Sequence, residues 1–243
     1  MTPVIVDPET TNILLTSNIK YDEKQTTKTA NEIKTLVTAA VTNYNTNTLQ
    51  KFDSVLRYSK LLEIIDDANT SILSNITTLK LRKSFTPTLS TSTNYTVNFS
   101  NALYNPHSGH NSDAGGILES SGFKISGDSS TVFYLDDDGQ GNVRRYSFSG
   151  ATRVYANNTQ GTIDYDTGAI TINSLSVLSV ENIRGAASTK IELTVKPDSN
   201  DVTPVRDQIL EIDVANSSIT VTADAFVGGS ADAGVGYTTT SSY

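Results

Sequence analysis

The chain has 243 residues, 37% of them hydrophobic, and a formal net charge of -8. It is long enough to bury roughly 70–75% of its unfolded surface, so a sizeable core is available. The acidic balance argues against a nucleic-acid partner, since phosphate neutralisation needs clustered Lys and Arg. With no cysteine, disulfides, thiolate zinc sites and cysteine nucleophiles are excluded too. No apolar run approaches the roughly 20 residues that cross a bilayer.

Residues 12–21 alternate Leu15, Ile19 and Tyr21 against Thr16, Asn18 and Lys20, the period-2 pattern of a half-buried strand. Asp22, Glu23, Thr26 and Thr27 then offer caps and first-turn acids. Ala30, Ile33, Leu36, Val37, Ala40, Val41 and Tyr44 recur at spacings of three and four, predicting an amphipathic helix over about 26–44 that ends in Asn45, Thr46 and Asn47. Ser59 reads as the N-cap of a second helix running to about Asp67, with Leu61, Leu62, Ile64 and Ile65 as its apolar side. Residues 72–82 read as the closing strand. Its apolar parity changes between Ile76 and Leu79, which predicts a bulge or twist there. The order is β-α-α-β, a compact unit with two helices on one face of a sheet.

These segments carry a resemblance. The runs 4–9 (VIVDPE) and 12–22, the helix at 29–45, residues 49–73 and the strand at 75–83 resemble the C-terminal region of baseplate wedge proteins of contractile-tailed, T-even-like bacteriophages, a baseplate-J-related family. The recurring feature is a short helix spaced as Phe52, Leu56, Ser59, Leu61, Ile65 and Asp66, followed by a strand. The resemblance is clearest over the first third. It implies a structural subunit, without enzymatic activity or cofactor, located in the virion tail baseplate and assembled in the host cytoplasm. It further implies a homodimer that joins wedges into the inner ring around the hub. The implied partners are a second copy and other wedge or hub proteins, with no nucleic acid, membrane or small-molecule substrate. Family members are longer, so the chain is expected to be a C-terminal portion with Met1 added.

Beyond a Ser/Thr-rich connector at 84–94, where a domain boundary is expected, the chain reads as short strands: 95–99, 123–125, 131–135, 143–148, 153–156, 162–165, 169–172, 191–196, 209–214 and 219–223. Asp166, Thr167 and Gly168 between Ile163/Tyr165 and Ile170/Ile172 predict a tight hairpin. The fold class is therefore α+β. A β-α-α-β unit (1–85) precedes a mostly antiparallel all-β domain (86–224) of sandwich or open barrel-like form, and a Gly/Ser/Thr tail follows (225–243).

No catalytic, cofactor or metal site is assigned. His107 and His110 with Asp113 have metal-ligand spacing, but on a Gly-rich loop whose plainer reading is a solvated surface. Asp136, Asp137 and Asp138 before Gly139 suggest a calcium loop, with Asp136 and Asp138 as candidate ligands. The EF-hand frame fails because its first position falls on Tyr134 and its last lacks a Glu. Arg144 and Arg145 read as strand-edge or interface charges, not a phosphate site. No G-x-S-x-G elbow or phosphate-binding glycine loop is present. A carbohydrate- or receptor-binding β module is the alternative, resting on Tyr95, Tyr104, Tyr134, Tyr146 and Tyr155. The absence of tryptophan counts against it.

Overall fold

The computed structural model describes residues 9–110, 116–205 and 208–224. Strand β1 (Glu9–Tyr21) is followed by a 3-10 turn (Glu23–Gln25), helix α1 (Ala30–Tyr44), a π-helical turn (Asn45–Leu49), helix α2 (Tyr58–Asp66) and strand β2 (Ile72–Phe85). This is the β-α-α-β order that the apolar periods predict. Then come β3 (Thr93–Asn98), β4 (Glu119–Ser120), β5 (Phe123–Ile125), β6 (Asp128–Asp137), β7 (Asn142–Ser149), β8 (Thr152–Asp164) and β9 (Ala169–Leu175). Strands β10 (Val177–Val180), β11 (Ile191–Val195), β12 (Gln208–Ile212) and β13 (Ser218–Ala223) complete the described chain. The class is α+β, with two curled sheets that each form a half-barrel. Among the described residues no helix is long and apolar enough to cross a membrane. The predicted tail at 225–243 lies outside them.

The first sheet runs β12-β1-β2-β11-β4, with β13 also on β1. β1 and β2 pair antiparallel from Asn12↔Arg82 to Tyr21↔Ile72. On the other edge of β1, β12 pairs in parallel along Glu9–Ile13 and β13 along Thr16–Tyr21. Where one gives way to the other, the ladder is kept by two substitutes. The Asp213 N–H donates to the Ile13 carbonyl at 2.9 Å, and the Leu15 N–H donates to Ser217 Oγ at 3.0 Å. The inner face, with Ile13, Leu15, Ile19, Leu79, Leu81, Leu193, Leu210 and Ile219, is buried. It forms one hydrophobic cluster with Ile33, Val37 and Val41 of α1 and Leu61 and Ile65 of α2. The second sheet, β10-β5-β6-β7-β8-β9-β3, is antiparallel throughout. Its buried face, with Phe123, Phe133, Leu135, Ile163, Ile170 and Ile172, belongs to the same cluster.

Several local expectations are corrected. Helix α1 starts at Ala30. Thr29 caps it in a reciprocal box with Glu32, whereas Asp22 caps the separate 3-10 turn. Asn45 does not end the helix. The chain continues into the π turn, and the buried Asn45 amide pairs with Ile212, donating to its carbonyl (3.2 Å) and accepting from its N–H (2.8 Å). Ser59 is not the cap of α2, which begins one residue earlier. The cap is Asp201, 143 residues away in sequence, whose Oδ1 accepts from the Tyr58 N–H at 2.8 Å. No bulge lies between Ile76 and Leu79, because the register with β1 is unbroken there and Ile76 simply points outward, 71% exposed. The irregularity falls where Lys20↔Ser74 gives way to Tyr21↔Ile72. The segments 153–156 and 162–165 are one strand, β8. The 166–168 turn forms as predicted, with Gly168 at φ +75 and its N–H on the Asp164 carbonyl.

On the outer face of the first sheet, Arg82 is 92% buried as a side chain, since its relative exposure is 8%. It is paired with Asp213 and lies 3.8 Å from Glu192. Burial alone would raise the Asp213 carboxyl, but Asn216 and Arg82 outweigh it and hold the group below the usual carboxylate range. A depressed folded value means stability that is present above the unfolded value near 3.9 and lost as pH falls through the folded one. Replacing Asp213 with Asn strands the Arg82 charge. The expected loss is about 3 kcal/mol in urea denaturation at pH 7, together with a shallower decline in stability below pH ~4. An unchanged midpoint at both pH values would contradict this role.

Candidate functional site

The two polar loops singled out in the sequence meet in the structure. The Gly109 N–H and the Asn105 side-chain amide both donate to the Gly139 carbonyl, at 2.8 and 3.1 Å, so the histidine loop rests on the aspartate hairpin. His110 Nδ1 faces His107 Nε2 at 3.0 Å, and His110 packs edge-on against Tyr104. Asp113 lies outside the described residues.

The three aspartates diverge, each occupied by protein donors. Asp136 is fully buried and accepts from Arg144 Nε (3.0 Å), Arg153 Nη1 (2.7 Å) and the Tyr155 hydroxyl (2.9 Å). Burial pushes its carboxyl above the ordinary range, against the pull of Tyr155 and the two arginines. Asp137, also buried, accepts from the N–H groups of Ile117 (2.6 Å) and Leu118 (2.8 Å), and from Tyr165 (2.5 Å). Burial and this carboxylate raise the Tyr165 hydroxyl far above its usual value. Asp138 holds the hairpin by accepting from Gln140 N and Asn142 N and Nδ2. These donors keep it below the usual range despite partial burial. Among the described residues no three His, Cys, Asp or Glu side chains gather as a metal centre.

Arg144 and Arg145 point to opposite faces of the second sheet, as adjacent strand residues must. Arg145 lies over Phe133 and donates to Gln160. Arg144 lies over the Tyr155 ring at 4.2 Å, and Arg153 lies over Tyr146 at 4.6 Å. Tyr134, Tyr146 and Phe148 complete this outer surface, with centroids 5.4–5.7 Å apart. The other tyrosines are engaged as well, Tyr95 on Phe85 and Tyr104 under Lys196. Sequence reasoning did not find this layer of aromatic rings and arginines. Its signal is the alternation of Tyr146 and Phe148 with Arg153 and Tyr155 across the β7–β8 hairpin, legible only once that register is known.

Residues 10–84, less than a third of the chain, match a family model described as baseplate structural protein gp6, C-terminal domain III. No curated protein matches the chain. The matched segment is the β-α-α-β unit, from β1 to the end of β2. The β-α-α-β unit is thus similar to a structural domain of a bacteriophage tail baseplate protein. The match over residues 10–84 is consistent with a baseplate wedge protein of a T-even-like phage.

Two outcomes test these loops. A Cβ at Gly116 (φ +69) would stand 1.8 Å from Asp137 Oδ1. Gly116→Ala is therefore expected to cost at least about 2 kcal/mol in urea unfolding, and wild-type stability in that variant would contradict the Asp137 clamp. Added Zn²⁺ or Ni²⁺ is expected to leave the thermal midpoint unchanged, because two imidazoles on a surface loop do not make a closed site. A clear rise would show a site at His107 and His110.

Proposed function

We propose that the chain acts without chemistry, as a wedge subunit whose dimeric contacts join neighbouring wedges into the inner baseplate ring around the hub. Its partners are a second copy and other wedge or hub proteins, assembled into the tail in the host cytoplasm. The family match over 10–84 carries the reading. The structure supports it in two ways. The polar clusters that could suggest chemistry are consumed in holding loops and strands. Large apolar side chains also stand exposed on separate parts of the surface, among them Phe52, Ile76, Leu89 and Phe148, the kind of residue found in the buried centre of protein contacts.

Light scattering of the purified chain at roughly 100 μM tests the dimer, since interfaces of standard size are saturated well above micromolar dissociation constants. The expected mass is twice the 26.1 kDa of the chain. A strict monomer would contradict dimeric wedge joining by this chain.

A further inference from the structure

Helices α1 and α2 leave between them a groove of about 550 Å³, lined on its apolar side by Ala40, Tyr44, Val55, Ile64 and Ala68. One end of the groove is formed by Thr48 and Val55, which flank the loop that joins the π turn to α2. Phe52 stands in that loop, 61% exposed and outside the hydrophobic cluster. Three residues span at most about 11 Å, so Phe52 lies beside the end of the groove that Val55 forms. It is not one of the residues lining the groove, and so does not fill the groove of its own chain. Asp53 follows with a left-handed backbone (φ +61), which turns the chain at this point.

The other end of the groove lacks a cation. Helix α2 finishes in Asp66 and Asp67, with no basic residue in its last turn. Two carboxylates there face the negative pole of the helix dipole, where a cation is favoured. Asp66 accepts from the Asn75 amide at 2.6 Å. Asp67, which lines the groove, forms no ion pair among the described residues. The groove's own cations are taken: Lys60 pairs with Glu63 at 2.9 Å and Arg57 with Asp201 at 2.8 Å. A cation without a carboxylate stands next to Phe52. Lys51 is exposed, and its ammonium donates to the Asn47 carbonyl while pairing with no acid among the described residues.

We propose that the groove between α1 and α2 takes the Lys51–Phe52 loop of a second copy of the chain. A two-fold axis lying between loop and groove exchanges the two features, so the contact is made twice. Each Phe52 enters the other copy's groove, and each Lys51 meets the partner's Asp67. An isologous contact requires both halves on one surface, and loop and groove adjoin here. The groove asks for an apolar filler with a cation at the Asp67 end, and the adjoining loop carries that pair of residues. A buried aromatic anchor supplies affinity, and the charge pair sets direction. The proposal rests on the dimeric reading above and adds its location.

Sedimentation equilibrium on the full chain tests the contact. Phe52→Ser is expected to weaken dimerisation about 30-fold, the effect of losing an interface anchor. Its circular dichroism spectrum is expected to stay that of wild type, because the side chain is exposed. Lys51→Glu and Asp67→Lys are each expected to weaken the dimer about 5-fold. The double variant Lys51→Glu/Asp67→Lys is expected to regain wild-type affinity to within about 2-fold, since the exchanged charges attract again. A merely structural role of either residue would not give that recovery. A wild-type dimer that Phe52→Ser leaves at full strength would overturn this interface, leave the dimer standing and point to a different protein in the groove. A double variant as weak as the single ones would overturn the charge pairing that selects a second copy. A wild-type monomer at about 100 μM, far above the dissociation constants of stable complexes, would overturn both the interface and the dimer.

Discussion

Strand β1 has two edges of backbone donors and acceptors, and every one that is buried needs a partner. The matched β-α-α-β unit can supply only one of those edges, through β2. The other is closed by β12 and β13, from about 200 residues further along the chain. The Ser217 hydroxyl and the Asp213 N–H fill the gap between them. Since the inner side chains of β1 form the floor under both helices, the hydrophobic core of the matched segment depends on the last described strands. The edge of β12 is sealed in turn by the Asn45 amide on Ile212, so the helical side of the unit also closes over the C-terminal strands.

The second sheet is inserted between these two halves. The chain leaves the first sheet after β2, builds β3 and β5 to β10 apart from it, and returns through β11 to pair with β2. Buried charge fastens the sheets together. Lys83, an inward-facing lysine of β2, donates to the Asn98 carbonyl at 2.6 Å and to Glu9 at 2.8 Å, although burial pulls its ammonium below the usual value. Leu103 bridges to Pro197, and the Ser120 hydroxyl accepts from the Leu135 N–H.

What the sequence reveals follows the range of the interactions. The strand at 12–21, both helices and the 166–168 hairpin were legible, because each is dictated by residues within a few positions of one another. The cap of α2 was not, since Asp201 is remote and Ser59 offers an attractive local substitute. Nor was the attachment of 208–212 and 218–223 to β1. Their alternating pattern marks them as strands, but alternation carries no information on which strand they join or in which direction. Ile76 misled because an exposed isoleucine reads as a change of parity. The acidic run showed its composition but not its geometry. Asp136, Asp137 and Asp138 alternate faces along a strand end, so three adjacent carboxylates serve three separate networks. The resemblance in the first third, by contrast, rests on helix spacing and survives any error in strand pairing.

The matched β-α-α-β unit is therefore completed by the last described strands and carries a second sheet between its two parts. Native-state hydrogen exchange on the full chain tests that closure most directly, because it resolves cooperative units within one fold. Amides of β12 and β13 that bond to β1 are expected to exchange with the same free energy, and the same denaturant dependence, as those of β1, β2 and α1. Exchange of β12 and β13 at a clearly lower free energy, with β1 and α1 still protected, would show that the unit closes without them and would contradict the account.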